Sequence, residues 1–321
     1  MTRWDTTRRS KFLKSSKMDV DKILREKFTM SCMNDGHILV NGFTFPGKYK
    51  ELKQYYENLE VDDEDVWICN FPKSGTTWVQ EMVWMILNNC DVKKSELPIY
   101  HRSPFLEANV MYFDFISPST ADPTEHIRVR KQKGPLVIKT HLPFELLPTE
   151  INTRAKKPKV IYITRDPKDI CVSYYHHFKL FDLFKGEFNE FCECFLAGKV
   201  PYGPYWKHIF SYWKMRNDSN FLFLKYEEMK SDLSEVINQV SEFLERPLTD
   251  DQMNMLTQHL SFKSMKKNPA VNYEGFYESG TGQNFIRKGI VGDHKNIMLS
   301  DMLKRFEDWT KINTNNTDYL I

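Results

Sequence analysis

Residues 65–78 read DVWICNFPKSGTTW, an apolar run that passes directly into a glycine-containing turn. This is the pattern of a strand ending in a phosphate-holding loop, with a helix opening at the two threonines. Beyond the loop, Val79, Met82, Val83 and Ile86 recur at i, i+3, i+4 and i+7, which lays one apolar face along that helix. Backbone N–H groups at such a turn point outward, and the helix dipole adds positive potential, so the corner suits an anion. Thr76 and Thr77 supply hydroxyl donors and Lys73 a full charge. The lysine is misplaced for the common triphosphate loop, G-x-x-x-x-G-K-[ST], where it directly follows the last glycine. A surface turn with an incidental lysine is the plainer alternative.

Three further apolar runs follow at intervals: PLVIKT (135–140), VIYIT (160–164) and NFLFLKYE (220–227). Their alternation with helical patterns predicts βαβ units, hence an α/β fold with a central parallel sheet flanked by helices. Nothing in the chain reads as an interdomain linker, so residues 21–321 are expected to form one domain. Residues 1–20 are basic and rich in Ser and Thr, and read as a disordered tail. Residues 101–133 carry proline and polar interruptions and are expected to contain much loop.

Bulk properties narrow the function classes. The chain has 321 residues and a net charge of only +2, so a basic site must be a local cluster and nucleic acid is not an expected partner. The 6 cysteines form no C-x-x-C pair and no metal-ligand rhythm, and Cys69 and Cys171 read as small buried hydrophobes. No apolar run is long enough to span a membrane and no signal-like segment opens the chain, so a cytoplasmic location is expected. The glycosylation sequons at Asn217 and Asn315 are then chance matches.

Three more constellations carry chemistry. In PLVIKTHLP, Lys139 and His141 lie two residues apart and project to one face near the end of a strand. Open α/β sheets bind ligands at that end. An imidazole beside ammonium groups has a lowered pKa and stays a base near neutral pH. Capping the strand or bonding a carbonyl is the plainer role for His141. In VIYITRDPKDICVSYYHHF, Asp166 reads as an N-cap and Pro167 as the first helical residue, which sets Arg165 at a second anion-friendly corner. Ser173 lies about two turns further on and by itself reads as an ordinary surface hydroxyl. In FIRKGIVGDHKN (285–296), Arg287 and Lys288 precede Gly289, giving a compact basic loop that reads equally well as a solvated turn. Taken together, these places hold Lys73, Lys139, Arg165, Arg287 and Lys288. A ligand with more than one phosphate-like group explains them economically, with His141 supplying acid–base chemistry.

FPKSGTTW, KTHLP, the run from Arg165 to Tyr175, FLKYEEMK and RKGIVGDHK resemble, in this order, the motifs of cytosolic sulfotransferases, over roughly residues 45–296. The resemblance implies transfer of a sulfonyl group from 3′-phosphoadenosine 5′-phosphosulfate (PAPS) to a hydroxyl or amine on a small, mostly apolar acceptor, leaving 3′-phosphoadenosine 5′-phosphate (PAP). It further implies that Lys73, Ser74, Gly75, Thr76 and Thr77 hold the phosphosulfate, with Lys73 at the bridging oxygen. His141 would be the base and Lys139 a stabiliser of the sulfonyl. Arg165, Ser173, Arg287, Lys288 and Gly289 would surround the 3′-phosphate, and Ser173 would join His141, Lys73 and Lys139 among the catalytic residues. Trp78 and Phe262 would sandwich the adenine beside Tyr226. Phe105, Phe144 and Phe178 would line the acceptor pocket. Read by itself, the NVMYFDF segment (109–115) is a candidate lid. Sulfonyl transfer needs less charge neutralisation than phosphoryl transfer, so no metal is expected.

Three departures from the family pattern stand out. His294 replaces the usual Trp, and Leu260 replaces a Thr expected to bond near the adenine. Leu299, Ser300 and Lys304 break the motif of the usual homodimer contact, which puts that contact in doubt. A non-catalytic adenosine-phosphate binder, and sulfonation of an allylic alcohol followed by elimination, are the competing readings.

Overall fold

The computed structural model describes residues 18–29, 36–111, 122–131, 134–273, 284–315 and 317–319. Most of the basic tail, much of the 109–115 segment and part of the Asn315 sequon lie outside the described residues.

An antiparallel pair comes first, β1 (His37–Val40) and β2 (Phe43–Pro46). The central sheet contains β3 (Val66–Cys69), β4 (Val137–Thr140), β5 (Lys159–Thr164) and β6 (Phe221–Lys225) in the order β4-β3-β5-β6. Every neighbouring pair in it is parallel, with Val66 opposite Val137 on one side and Lys159 on the other. Each of the four apolar runs thus forms a strand, as the pattern predicts. The β1–β2 hairpin turns at Asn41-Gly42, where both φ angles are positive (49° and 74°). Asn-Gly between apolar runs is a strong hairpin signal.

Alternation along the strands separates two cores. Trp67, Cys69, Ile138, Val160 and Tyr162 face one layer, and Val66, Ile68, Val137, Ile161 and Ile163 face the other. Such burial on both faces is why these strands read as nearly continuous apolar runs. Helix α1 (Thr76–Leu87) covers the second face through Val79, Met82, Val83 and Ile86, all essentially buried. Helix α2 (Pro167–Leu180) begins directly after β5, with the Asp166 carboxylate accepting from the Lys168 N–H at 2.8 Å. The segment 101–133 contains short helices, Ala108–Met111 and Glu125–Lys131 among them. Among the described residues, no helix is long and apolar enough to cross a membrane.

The strand order decides where a ligand can sit. From β3 the chain moves to β4 on one side, and from β5 to β6 on the other. The crevice at the carboxyl ends of β3 and β5 is therefore a topological switch point. The phosphate loop follows β3, Arg165 follows β5, and Tyr226 follows β6.

Candidate active site

A cavity open to solvent occupies this crevice. Its wall brings together Lys73, Gly75, Thr76, Thr77, Trp78, Phe105, Lys139, His141, Arg165, Ser173, Tyr226, Phe262, Arg287, Lys288 and Gly289, drawn from seven separate stretches of chain. Ser74 stands behind the loop, where its hydroxyl donates to the Phe71 carbonyl at 2.8 Å. Leu260 is buried and contributes through its main chain, its carbonyl accepting from Trp78 Nε1 at 2.8 Å. Phe144 and Phe178 lie elsewhere. Phe144 packs on Tyr212 and Phe221, and Phe178 sits in a cluster with Phe28, Tyr174 and Phe191. Both rings are buried in the hydrophobic core.

Gly75 caps α1 with φ 113°, and a Cβ there would come within 2.9 Å of the Tyr226 ring. Only glycine lets the loop turn this tightly against the Tyr226 ring. Asn70, at the end of β3, anchors the loop by donating from Nδ2 to Thr76 Oγ1 at 2.6 Å.

The Asn70 carbonyl also lies 3.0 Å from His141 Nδ1. A carbonyl only accepts, so Nδ1 carries the proton and Nε2 keeps its lone pair. The bond to a carbonyl is thus what orients the ring as a base. Burial, then Lys139, hold the His141 pKa well below its ordinary value, so the imidazole is neutral around pH 7. Its backbone is pinned from both sides: the N–H donates to buried Glu107, and the carbonyl accepts from His208 Nε2 at 2.9 Å. Glu107 also accepts from the Thr140 hydroxyl at 2.9 Å, and burial raises its pKa to about 7. It reaches this position because residues 104–106 run alongside β4, with Leu106 N–H donating to the Lys139 carbonyl at 2.9 Å.

The cations crowd one another. Burial, then Lys139, Arg165 and Arg287, lower the Lys73 pKa to about 7, and burial lowers that of Lys139 to about 8. Arg165 stacks 4.2 Å from the Tyr226 ring and lies 3.7 Å from Asp169. Arg287 and Lys288 pair with Asp293 at 2.7 and 3.0 Å. Burial opposes ionisation of Asp293, yet the bonds from Lys288, Arg287 and Asn296 hold its pKa down to about 2. Asp169 accepts from the Gly292 and His294 N–H groups and from His294 Nδ1, the last at 2.8 Å. Buried His294 thus fastens the basic loop to α2. Both carboxylates stand outside the cavity wall, so the cavity face of the cluster is short of negative charge. Among the described residues, buried Arg165 Nε has no partner. Such an arrangement suits a polyanion.

The sequence of the sulfotransferase domain family matches residues 63–318. Luciferin sulfotransferase of Photinus pyralis is 38% identical over 82% of this chain and 75% of its own length. Mouse sulfotransferase 1E1 is 36% identical over 82% and 88%. The chain belongs to the sulfotransferase family. Among solved structures, retinol dehydratase in complex with retinol and PAP is similar at a TM-score of 0.80 and 28% identity, over 94% of this chain and 96% of that one. Mouse sulfotransferase SULT7A1 complexed with PAP follows at 0.69 and 25%, over 88% and 96%.

Several residues of this sulfotransferase site escaped the motif reading: Asn70, Glu107, Tyr174, His177, Tyr202 and Phe285. His177 follows Ser173 at i+4 and so shares its face of α2, a spacing that could have revealed it. Phe285 opens the FIRKG string. Tyr202 reaches the His141 ring, 5.5 Å away, from a remote segment that carries no local signal.

Proposed function

We propose that the protein transfers a sulfonyl group from PAPS to a hydroxyl or amine on a small, mostly apolar acceptor, with His141 as the general base. The observation that carries this reading is the neutral, directed Nε2 of His141 sharing one cavity with Lys73 and Lys139. When bound, PAPS supplies an activated sulfonyl and a nucleotide leaving group. The donors at the start of α1 and Lys73 suit its phosphosulfate end. Arg165, Arg287 and Lys288 suit its 3′-phosphate, and Trp78, Phe262 and Tyr226 offer rings to its base. His141 Nε2 takes the acceptor proton, while the Lys73 and Lys139 ammonium groups oppose negative charge developing on oxygen. Preorganised donors of this kind contribute about 3 kcal/mol each. Phe105 and Tyr202 flank the His141 ring and make its approach apolar, which favours phenols and alcohols.

The similarity to retinol dehydratase favours one second reading, in which sulfonation of an allylic alcohol is followed by elimination. Both readings are tested by incubating the protein with labelled PAPS and a panel of phenols, sterols, retinoids and amines, with EDTA present throughout, and identifying products by mass spectrometry. Sulfate esters support transfer. A dehydrated olefin with free sulfate from the allylic alcohols supports elimination. PAP binding without any product leaves only a binder, and activity that is lost in EDTA and restored by magnesium overturns the metal-free scheme.

Gly289 provides a test of the basic loop. Its φ is 62°, and an added Cβ would meet the Phe262 ring at 2.4 Å. Strain of this kind costs about 1–3 kcal/mol. Gly289→Ala is expected to weaken PAP binding about 10-fold or more, measured by titration calorimetry.

A further inference from the structure

We propose that His177 is a positioning residue for Lys73, holding its ammonium in place through a hydrogen bond to Nδ1. The proposal rests on the reading above that Lys73 acts in sulfonyl transfer. Lys73 Nζ lies 3.3 Å from His177 Nδ1 and 4.3 Å from the centre of the Phe285 ring. These two side chains form a corner around the ammonium. Lys73 Nζ and His177 Nδ1 thus stand within hydrogen-bonding distance. An ammonium has only donors, so in the charged form Nδ1 accepts and Nε2 carries the imidazole proton. His177 is buried in α2 and lines the cavity one turn beyond Ser173.

The chemistry explains why a histidine fits this place. A carboxylate here would neutralise Lys73 and compete with an incoming anion. An alkyl side chain would leave the ammonium facing Lys139, Arg165 and Arg287 without that acceptor. A neutral imidazole supplies the acceptor and adds no charge. Burial, followed by Lys73, Lys139 and His141, keeps His177 neutral around pH 7. The groups facing Lys73 are thus Lys139 and His141 at the end of β4, Arg165 after β5, His177 on α2 and Arg287 in the basic loop. Each added positive charge favours deprotonation of Lys73, and the His177 acceptor opposes it.

The test compares wild type, His177→Leu, His177→Asn, Lys73→Met and the Lys73→Met/His177→Leu double variant. In the ligand-free protein, the Lys73 Cε signal is titrated by NMR, a readout that needs no turnover. His177→Leu is expected to move this titration to lower pH by about half a unit or more, and His177→Asn, whose Oδ1 can stand where Nδ1 stood, to restore it. In kinetics, His177→Leu is expected to lower kcat about 10-fold, with the PAP dissociation constant within about twofold of wild type. In the Lys73→Met background the same change should cost nothing further. An unmoved Lys73 titration, or an equal kcat loss in the Lys73→Met background, overturns the proposal. If wild type binds PAP and His177→Leu shifts the Lys73 titration, yet wild type transfers no sulfonyl group, the functional reading fails while the His177–Lys73 link stands.

Discussion

His141→Ala is expected to lower sulfonyl transfer about 10²–10⁴-fold while leaving PAP binding unchanged. The base is separable from the nucleotide cluster because its ring is held by the Asn70 carbonyl, between Phe105 and Tyr202. The two bonds that pin residue 141, to Glu107 and His208, are made by its backbone and survive truncation. Loss of activity therefore reports loss of the Nε2 lone pair and not collapse of the loop. The pH dependence carries the sign of the shift. His141 becomes charged only well below its ordinary value, so the acid limb attributable to it lies well below 6.5. Steady-state turnover of the variant, with PAP affinity by calorimetry, checks both parts. Near-normal turnover would move the base to another group.

Lys73→Met is expected to lower kcat about 10²–10³-fold and at the same time to make the fold more stable. Methionine keeps the unbranched stem and removes the charge. The Lys73 pKa falls from 10.5 to about 7 on folding, through burial and through Lys139, Arg165 and Arg287. A lysine whose pKa falls on folding destabilises the native state. The penalty is fully present below about 7 and fades as pH rises toward the unfolded value of 10.5. Removing the charge relieves it, and a gain of about 1 kcal/mol at pH 7 corresponds to less than one pKa unit. Denaturant melts at pH 7 and pH 10 check the sign: the stabilisation should be larger at pH 7. A kcat loss accompanied by destabilisation at both values would mean that Lys73 holds the loop together.

What could be read from the sequence depended on how local each signal was. Strands β3 to β6 were legible because burial on both faces writes their hydrophobicity into consecutive residues. The corners at Gly75, Asp166 and Gly289 were legible because turn and cap chemistry is confined to a few positions. The β1–β2 hairpin carried an equally local signal in Asn41-Gly42. Glu107 was not legible, since it reaches the His141 N–H only after residues 104–106 run alongside β4. His177 meets Lys73 across 104 positions of sequence, a pairing that no local pattern announces. Phe144 and Phe178 show the converse. An aromatic beside a motif can be drawn into the core as readily as into a cavity, and spacing does not distinguish the two.

The cavity wall is assembled from segments that are far apart in the chain, with Lys73, Lys139, Arg165 and Arg287 each following a different stretch. No short fragment can present these charges together. Occupancy of the site and cooperative folding of the whole sheet are therefore a single linked equilibrium. Anything that loosens a distant strand also loosens the grip on the ligand, and a bound polyanion acts as a staple across the whole domain.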